Sequence, residues 1–502
     1  MKKSFALVLA LVLLISGTAI YAQTALLKEK DQVHFTESVS YGDKSVVEGV
    51  QVEMYNYYDN KMFWHTTYEF GAKEKEKTDY EFYPWYHEQE QAYEGAFWTV
   101  TDYISLSTGG YMEEKEYRGV EAALKELYDK TPAGGKNQMI IRLKDYMDYY
   151  TFGFELSLPH AAGETHKDYQ MYSVLYIQGL AEEIEYYEES GENSEYLQQL
   201  KVIQKDWENF NEFFKIPVIE SEIAGVAIAK DANGRISGMG SSNVNGASAA
   251  GDADLPGIYN IEGLDGFNMW FEAIFDNGDC YLTFDPHTVN GYLVDTSEIP
   301  GGFGIYHFSY DNKKGTIDSE NIQMVYALNP QDKIVALKID ASGEHLLLET
   351  IEMNRTYLSV IKRDTMELVQ KLDMGVTDYL AFDSYEDFMV TRSEELAVYT
   401  KDAQGLYQKE FGVNINEMER QLGVKEDEVY VSWSGVYDWN GQTLLIASNL
   451  FKECSFFLTA VDETGLLYYG EYQSSLNTGD EEYYSCYPDH NKEDKVLVHW
   501  GK

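Results

Sequence analysis

Ten histidines, 85 acidic side chains and one serine–lysine spacing are where this chain could do chemistry. His160 and His166 bracket Glu164 in "HAAGETH". That spacing matches no metal-ligand pattern, so a surface loop is the better reading. His87 opens "HEQEQ", where Gln91 stands in place of the second histidine of a zinc-protease helix. "SVIK", Ser359 to Lys362, has the letters of a serine–lysine nucleophile. On a strand, however, residues three apart point to opposite faces. "DANG" at Asp231, "DNG" at Asp276 and "YDNKKG" at Tyr310 are fragments of calcium loops. Each lacks the alternating oxygen ligands and closing glutamate, and Asp-Asn-Gly is foremost hairpin-turn chemistry. Among so many carboxylates no pair stands out as a glycosidase acid and nucleophile. The sequence therefore nominates no catalytic, cofactor or metal residue. A divalent cation such as calcium is the one ion its fragments would take.

The elements that would position any such group read as mainly β. In "VEMYNYYDNKMFWHTTYEFG", Val52 to Gly71, seven aromatic rings and His65 crowd two strands around Asp59-Asn60, the composition of a tight hairpin. Rings at consecutive positions fall on both sides of a strand, so the expectation is a sheet covered on both faces, with its rings structural.

From Gly119 the period changes. "VEAALKELYDK" is a short amphipathic helix, and "TFGFELSLP" returns to strand alternation at Phe152, Phe154, Leu156 and Leu158. A longer helix begins after Ser194, a good cap, and carries Leu200, Ile203, Trp207, Phe210 and Phe214 at steps of three and four until Pro217. That stripe reads as core. "EEIEYYEESGENSEY" before it reads as a solvated helix end. "SGMGSSNVNGASAAGDADLPG", Ser237 to Gly257, has almost no apolar bulk and is expected to be a linker or mobile loop.

After it a shape repeats. "KIVALKI", "HLLLETIEM", "YLSVIKR" and "ELVQKLDM" are four short strands. "YLAFDS", "DFMVTRS", "LAVYTKD" and "LYQKEFGV" are four more, and a third set runs from Val429 to Tyr472. Each set contains a similar hairpin whose turn opens with an aspartate, at Asp364, Asp402 and Asp462. Four-stranded units at this spacing are the signature of a β-propeller. "FNMWFEAIFDNGDCYLTFD" and "GFGIYHFSYDNKKGTID" supply an earlier unit. "KVLVHW" reads as a terminal strand that joins a sheet begun far earlier in the chain. The domain reading is 1–22 signal or anchor, 23–118 β-hairpin region, 119–236 mixed region with a helical insertion, 237–257 linker, and 258–502 propeller-like region.

The formal charge is −46, or −48 once Lys2 and Lys3 are lost with a signal. Such a surface repels nucleic acid and anionic lipid, leaving solubility, a divalent cation or a basic partner as what the acidity serves. Two lysines, an apolar run from Phe5 to Ile15 and small residues up to Ala22 have the layout of a secretory signal. Cleavage after Ala22 and retention of Ser4 to Ala22 as a single anchor both remain open. No cysteine follows the run to carry a lipid. Three cysteines do not make a disulfide framework; three free thiols is the plainer reading, and Cys454–Cys486 is the pair nearer in sequence.

"VVEGVQVEMYNYYDNKMFWHTTYEFG", "KDYMDYYTFGFELSLP" and "NEFFKIPV" resemble segments of uncharacterised exported or singly membrane-anchored proteins of Gram-positive bacteria. The resemblance implies an extracytoplasmic protein without assigned chemistry. The function expected is non-enzymatic binding or scaffolding at the cell surface, contacting a protein or glycan, with a basic one favoured, through a propeller face. The rival is a glycan-active hydrolase or lyase using acidic residues of a propeller channel, and a clustered, water-poor pair of carboxylates would favour it.

Overall fold

The computed structural model describes residues 32–58, 62–83, 95–97, 111–112, 117, 119–152, 154–157, 169–171, 174–191, 194–244, 246–251, 255, 265–267, 271–311, 316–377, 380–423, 433–450, 455–476 and 496–501. The fold is mainly β and propeller-like, with seven antiparallel sheets among these residues, most of them four strands in simple up-and-down order. The chain divides into two compact units: Met1–Tyr93 with Pro159–Glu164 and Asp378–Lys502, and Glu94–Leu158 with Thr165–Thr377.

The first unit holds three sheets. The opening sheet runs Gln51–Tyr58, Met62–Glu69 and Glu76–Phe82. Val496–His499 lies along its first strand, in the register Gln51 to His499, Val52 to Val498 and Met54 to Val496. The expected terminal strand is therefore real, and its alternation fits: Val496 and Val498 are buried while His499 faces outward. The second sheet is Ala381–Ser384, Phe388–Arg392, Glu395–Lys401 and Tyr407–Asn414. The third is Val436–Trp439, Leu444–Leu450, Ser455–Asp462 and Gly465–Ser474, extended by Phe35–Gly42 on its last strand. At the end of that added strand Gly42 has φ +82°, and a Cβ there would stand 2.0 Å from the Leu467 carbonyl oxygen, so only glycine fits.

In the second unit, one sheet orders Gly246–Gly251, Ile236–Asn243, Ile223–Lys230 and Lys136–Arg142. Much of the segment expected to be a linker is thus paired strand. Its small side chains carry little burial of their own, but the ladder with "IAGVAIAK" satisfies the backbone of Gly238 to Ser242. A second sheet comprises Phe271–Asp276, Asp279–Phe284 and Gly304–Asp311, with Thr316–Ile317 and Gln323–Ala327 both on the last of these. The third is Lys333–Ile339, His345–Glu352, Arg355–Lys362 and Glu367–Gly375. Gly95–Phe97, Phe154–Ser157 and Tyr169–Met171 form a smaller one.

The helices follow the sequence reading. Gly119–Lys130 buries Val120, Leu124 and Leu127. Glu195–Phe213 starts at Ser194, whose hydroxyl accepts from Leu197 N–H at 3.2 Å. Leu200 and Ile203 pack with Leu180 and Ile184 of the helix Val174–Glu189, whereas Phe210 and Phe214 enter the main core of this unit. The stripe is core.

Candidate functional site

Most of the residues weighed for chemistry turn out to be structural. Ser359 is nearly buried and Lys362 exposed, on opposite faces of one strand. The Asp231 carboxylate accepts from Asn233 N–H and Arg235 N–H, both at 2.8 Å, closing its turn. Asp276 and Asp279 pair across Asn277-Gly278, whose φ values of 51° and 90° make this the tight hairpin turn expected of Asp-Asn-Gly. Asp402 likewise caps Gln404 and Leu406, and Asp462 caps Thr464. His87, His160, His166, Cys454, Cys486 and the turn after Tyr310 lie outside the described residues. Cys280 is a buried free thiol pushed well up by desolvation, hence inert. No three His, Cys, Asp or Glu side chains among the described residues are grouped to hold a metal. Nor, among them, is any helix long and apolar enough to cross a membrane.

Two arrangements remain. The first is on the opening sheet, where the structure corrects the expectation of cover on both sides. One face is shut: Val52, Met54, Trp64, Tyr68 and Phe70 are buried in the first unit. There Tyr68 packs edge-on or tilted against Phe35, Phe70, Phe456 and Tyr472 at 4.9–5.9 Å. The opposite face is half open. Tyr55 is 40% exposed and stacks on His65, its partner in the ladder, at 4.3 Å with the rings 5° from parallel. The Glu53 carboxylate sits 2.8 Å from His65 Nε2 and accepts from the Tyr55 hydroxyl at 3.4 Å. Desolvation first, and the Glu53 charge second, raise the Tyr55 phenol above its ordinary range.

Strand alternation puts Phe63, Glu69, Asp79 and Glu81 on this same face. Lys77 is its lysine, 3.9 Å from Asp79 and strongly exposed. The hairpin turn itself, Asp59 to Lys61, is outside the described residues, and the pairing of Tyr58 with Met62 leaves three residues between the strands rather than two. The signal for the open face was present in the sequence: Glu53, Glu69, Asp79 and Glu81 alternate with the buried set. Rings at consecutive positions hid it.

The second arrangement is a carboxyl pair in the second unit, which the sequence reading did not nominate. Glu349 lies mid-strand in "HLLLETIE", 2% exposed, and its Oε2 has no hydrogen-bond partner among the described residues. Desolvation, offset in part by Lys338 and reinforced by the charge of Glu272, pushes its carboxyl up to about 7. Glu272 is in the strand Phe271–Asp276, which runs beside Lys333–Ile339. Burial raises its carboxyl too, while the Leu337 N–H it accepts and the Lys338 charge pull the other way. Ala336 pairs with Glu349 and Lys338 with Leu347, so Lys338 and Glu349 share a sheet face as diagonal neighbours. A charged residue between Leu347, Leu348 and Thr350, Ile351 was the available signal.

Two other buried acids, Asp340 and Glu222, accept hydrogen bonds. Asp340 accepts from Ser342, from Glu344 N–H at 3.0 Å and His345 N–H at 3.1 Å, and faces His345 Nδ1 at 3.0 Å. Glu222 accepts from the Tyr150 hydroxyl, joining the turn before Ile223 to the second unit's core.

No family model matches the chain, and no curated protein matches it. Among solved structures it is similar to the β-propeller domain of Cps50 (Swd1) from Myceliophteria thermophila, at 9% identity over 50% of this chain and 72% of that one, with a TM-score of 0.22. It is similar to a putative 6-phosphogluconolactonase from Bacteroides uniformis at 14% identity, over 51% and 67%, TM-score 0.22. A functionally unknown protein from Desulfotomaculum acetoxidans covers more, 91% of this chain and 100% of its own, at 8% identity and a TM-score of 0.26. Likenesses of this size carry no argument about activity, and the propeller-like reading stands on the chain's own sheet order.

Proposed function

We propose that the chain is an extracytoplasmic, non-enzymatic binding protein that docks a basic segment of a surface protein on the half-open face of its opening sheet. The observation that carries this reading is the Tyr55–His65 stack with Glu53 at 2.8 Å. A parallel pair of rings offers a π-face to a guanidinium or ammonium, and the adjoining carboxylates supply its counter-charge. The net charge of −46 would speed the approach of such a partner. The apolar run at Phe5 to Ile15 supports export.

The rival, a glycan hydrolase or lyase, has the Glu272–Glu349 pair in its favour. A general acid must touch the oxygen it protonates, and Glu349 is too deeply buried to meet a sugar.

The test is a titration of the protein with a short Lys/Arg-rich peptide, a neutral peptide of equal length and a deacetylated glucosamine oligomer. The expected result is binding of the basic peptide alone, weakened about fivefold by Tyr55→Ala. Equal binding by the variant would refute the face, preference for the oligomer would move the partner class to glycans, and glycan cleavage lost with a single Asp or Glu substitution would establish the rival.

A further inference from the structure

We infer that Asn440 is a self-modifying site, whose side-chain amide converts through a succinimide to aspartate and isoaspartate with water as the only other reactant. An asparagine followed by glycine is where that ring can close, because a residue without Cβ leaves its nitrogen approachable. The chain has five such pairs, at Asn233, Asn245, Asn277, Asn290 and Asn440, of which Asn245 lies outside the described residues. Three of the other four are held against reaction. The Gly234 N–H donates to the Asp231 carbonyl at 3.0 Å and the Gly291 N–H to the Thr288 carbonyl at 2.8 Å, which commits both attacking nitrogens. The Asn277 side chain is tied to the residue before it, its Nδ2 donating to Asp276 Oδ1 at 2.9 Å.

Asn440 is set differently. It opens the turn between Val436–Trp439 and Leu444–Leu450, and Asn440, Gly441 and Gln442 are all exposed. The Gly441 N–H has no hydrogen-bond partner among the described residues, and a Cβ built on Gly441 would meet nothing within 4 Å, so the attacking nitrogen has open space around it. The Asn440 side chain is folded forward along the turn: its Oδ1 accepts from the Gln442 N–H at 3.0 Å and from the Thr443 N–H at 2.9 Å. Two backbone donors at this range of a carbonyl oxygen make an oxyanion hole, which polarises Cγ and stabilises the charge that develops on Oδ1. Hydroxide takes the Gly441 amide proton, the nitrogen forms a bond to Cγ, and the Cγ–Nδ2 bond breaks as Nδ2 leaves as ammonia with a proton from water. Water then opens the five-membered ring, at the side-chain carbonyl to give aspartate or at the main-chain carbonyl to give isoaspartate. Nothing is oxidised or reduced. Either product adds a negative charge to the turn, and isoaspartate also inserts a carbon into the main chain between the paired residues Trp439 and Leu444.

The experiment incubates the full chain in mildly alkaline buffer, folded and in parallel unfolded in urea, and follows amide loss and isoaspartate in each Asn-Gly peptide by mass spectrometry. In urea the four sites should convert at similar rates, since local sequence alone then decides. In the folded chain Asn233, Asn277 and Asn290 should slow by at least about tenfold, while Asn440 converts at least as fast as in urea and yields isoaspartate. Gln442→Pro removes one of the two donors and leaves Asn440-Gly441 intact, so it should slow Asn440 in the folded chain about tenfold and hardly change it in urea. Where that variant fails to fold, the folded-to-urea ratio in the wild type decides alone. Conversion of Asn440 no faster than at the other three sites, or slower folded than in urea, would overturn the site. So would amide loss without isoaspartate, which is direct hydrolysis, or a folded Gln442→Pro that converts at the wild-type rate.

Discussion

Glu53 and Glu349 are the same residue type in the same setting, the middle of a strand second to an edge, and they have opposite fates. Glu53 faces outward, its carboxylate 2.8 Å from His65 Nε2 and accepting from the Tyr55 hydroxyl. Glu349 faces inward among leucines, where the charge is dear enough to move its titration to neutrality. What lies over a sheet face, not the strand or the residue, decides whether a carboxylate stays open to solvent or is desolvated.

The comparison can be broken most forcefully by removing what closes the opening sheet. Deleting Val496 to Lys502 strips a strand that buries two valines and pairs with Gln51 to Met54. At about 1.5–3 kcal/mol for each valine, the loss should be about 3–6 kcal/mol, read as a fall in the denaturation midpoint. An unchanged midpoint would mean that the pairing contributes nothing and that the open face has no fixed frame.

Next in size is the pH dependence that Glu349 imposes. Its carboxyl is raised from about 4.5 when unfolded to about 7 when folded, so the native state binds the extra proton. Stability attributable to this group is present below pH 4.5, declines as pH rises through 7, and stays lost above it. The penalty is about 3 kcal/mol, an order-of-magnitude figure. At about pH 8, Glu349→Gln should therefore be more stable than wild type by about that amount, with the advantage gone by about pH 4.5. Chemical denaturation across that range checks it.

A smaller effect concerns the helix that supports the second unit's core. Ser194→Ala removes the cap on Leu197 N–H and should cost about 1 kcal/mol. Because the helix belongs to the second unit and the opening sheet to the first, basic-peptide binding should not change, and a coupled loss would contradict that division.

The sequence carried the strand pattern well where local rules sufficed. The hairpins at Asp364, Asp402 and Asp462, the cap at Ser194 and the Val496 strand all rest on turn, cap and alternation chemistry readable within a dozen residues. Reading failed where a distant partner made the difference. Ile236–Asn243 and Gly246–Gly251 have too little apolar bulk to announce themselves, and become strands because Ile223–Lys230 supplies their ladder. The half-open face of the opening sheet was masked by rings on both sides of it. Glu272 and Glu349 sit 77 positions apart, and only the packing of Phe271–Asp276 beside Lys333–Ile339 brings their charges into one place.

The central claim is that an acidic, aromatic sheet face captures a basic partner by electrostatic encounter, and the salt dependence of association kinetics tests it most directly. Between about 0.05 and 0.5 M salt the Debye length falls from roughly 14 to 4 Å. The association rate of a Lys/Arg-rich peptide should drop steeply over that range while its dissociation rate stays nearly constant, with Glu53→Gln and Asp79→Asn flattening the slope. An association rate indifferent to salt, or a slope unaltered by both substitutions, would contradict the account.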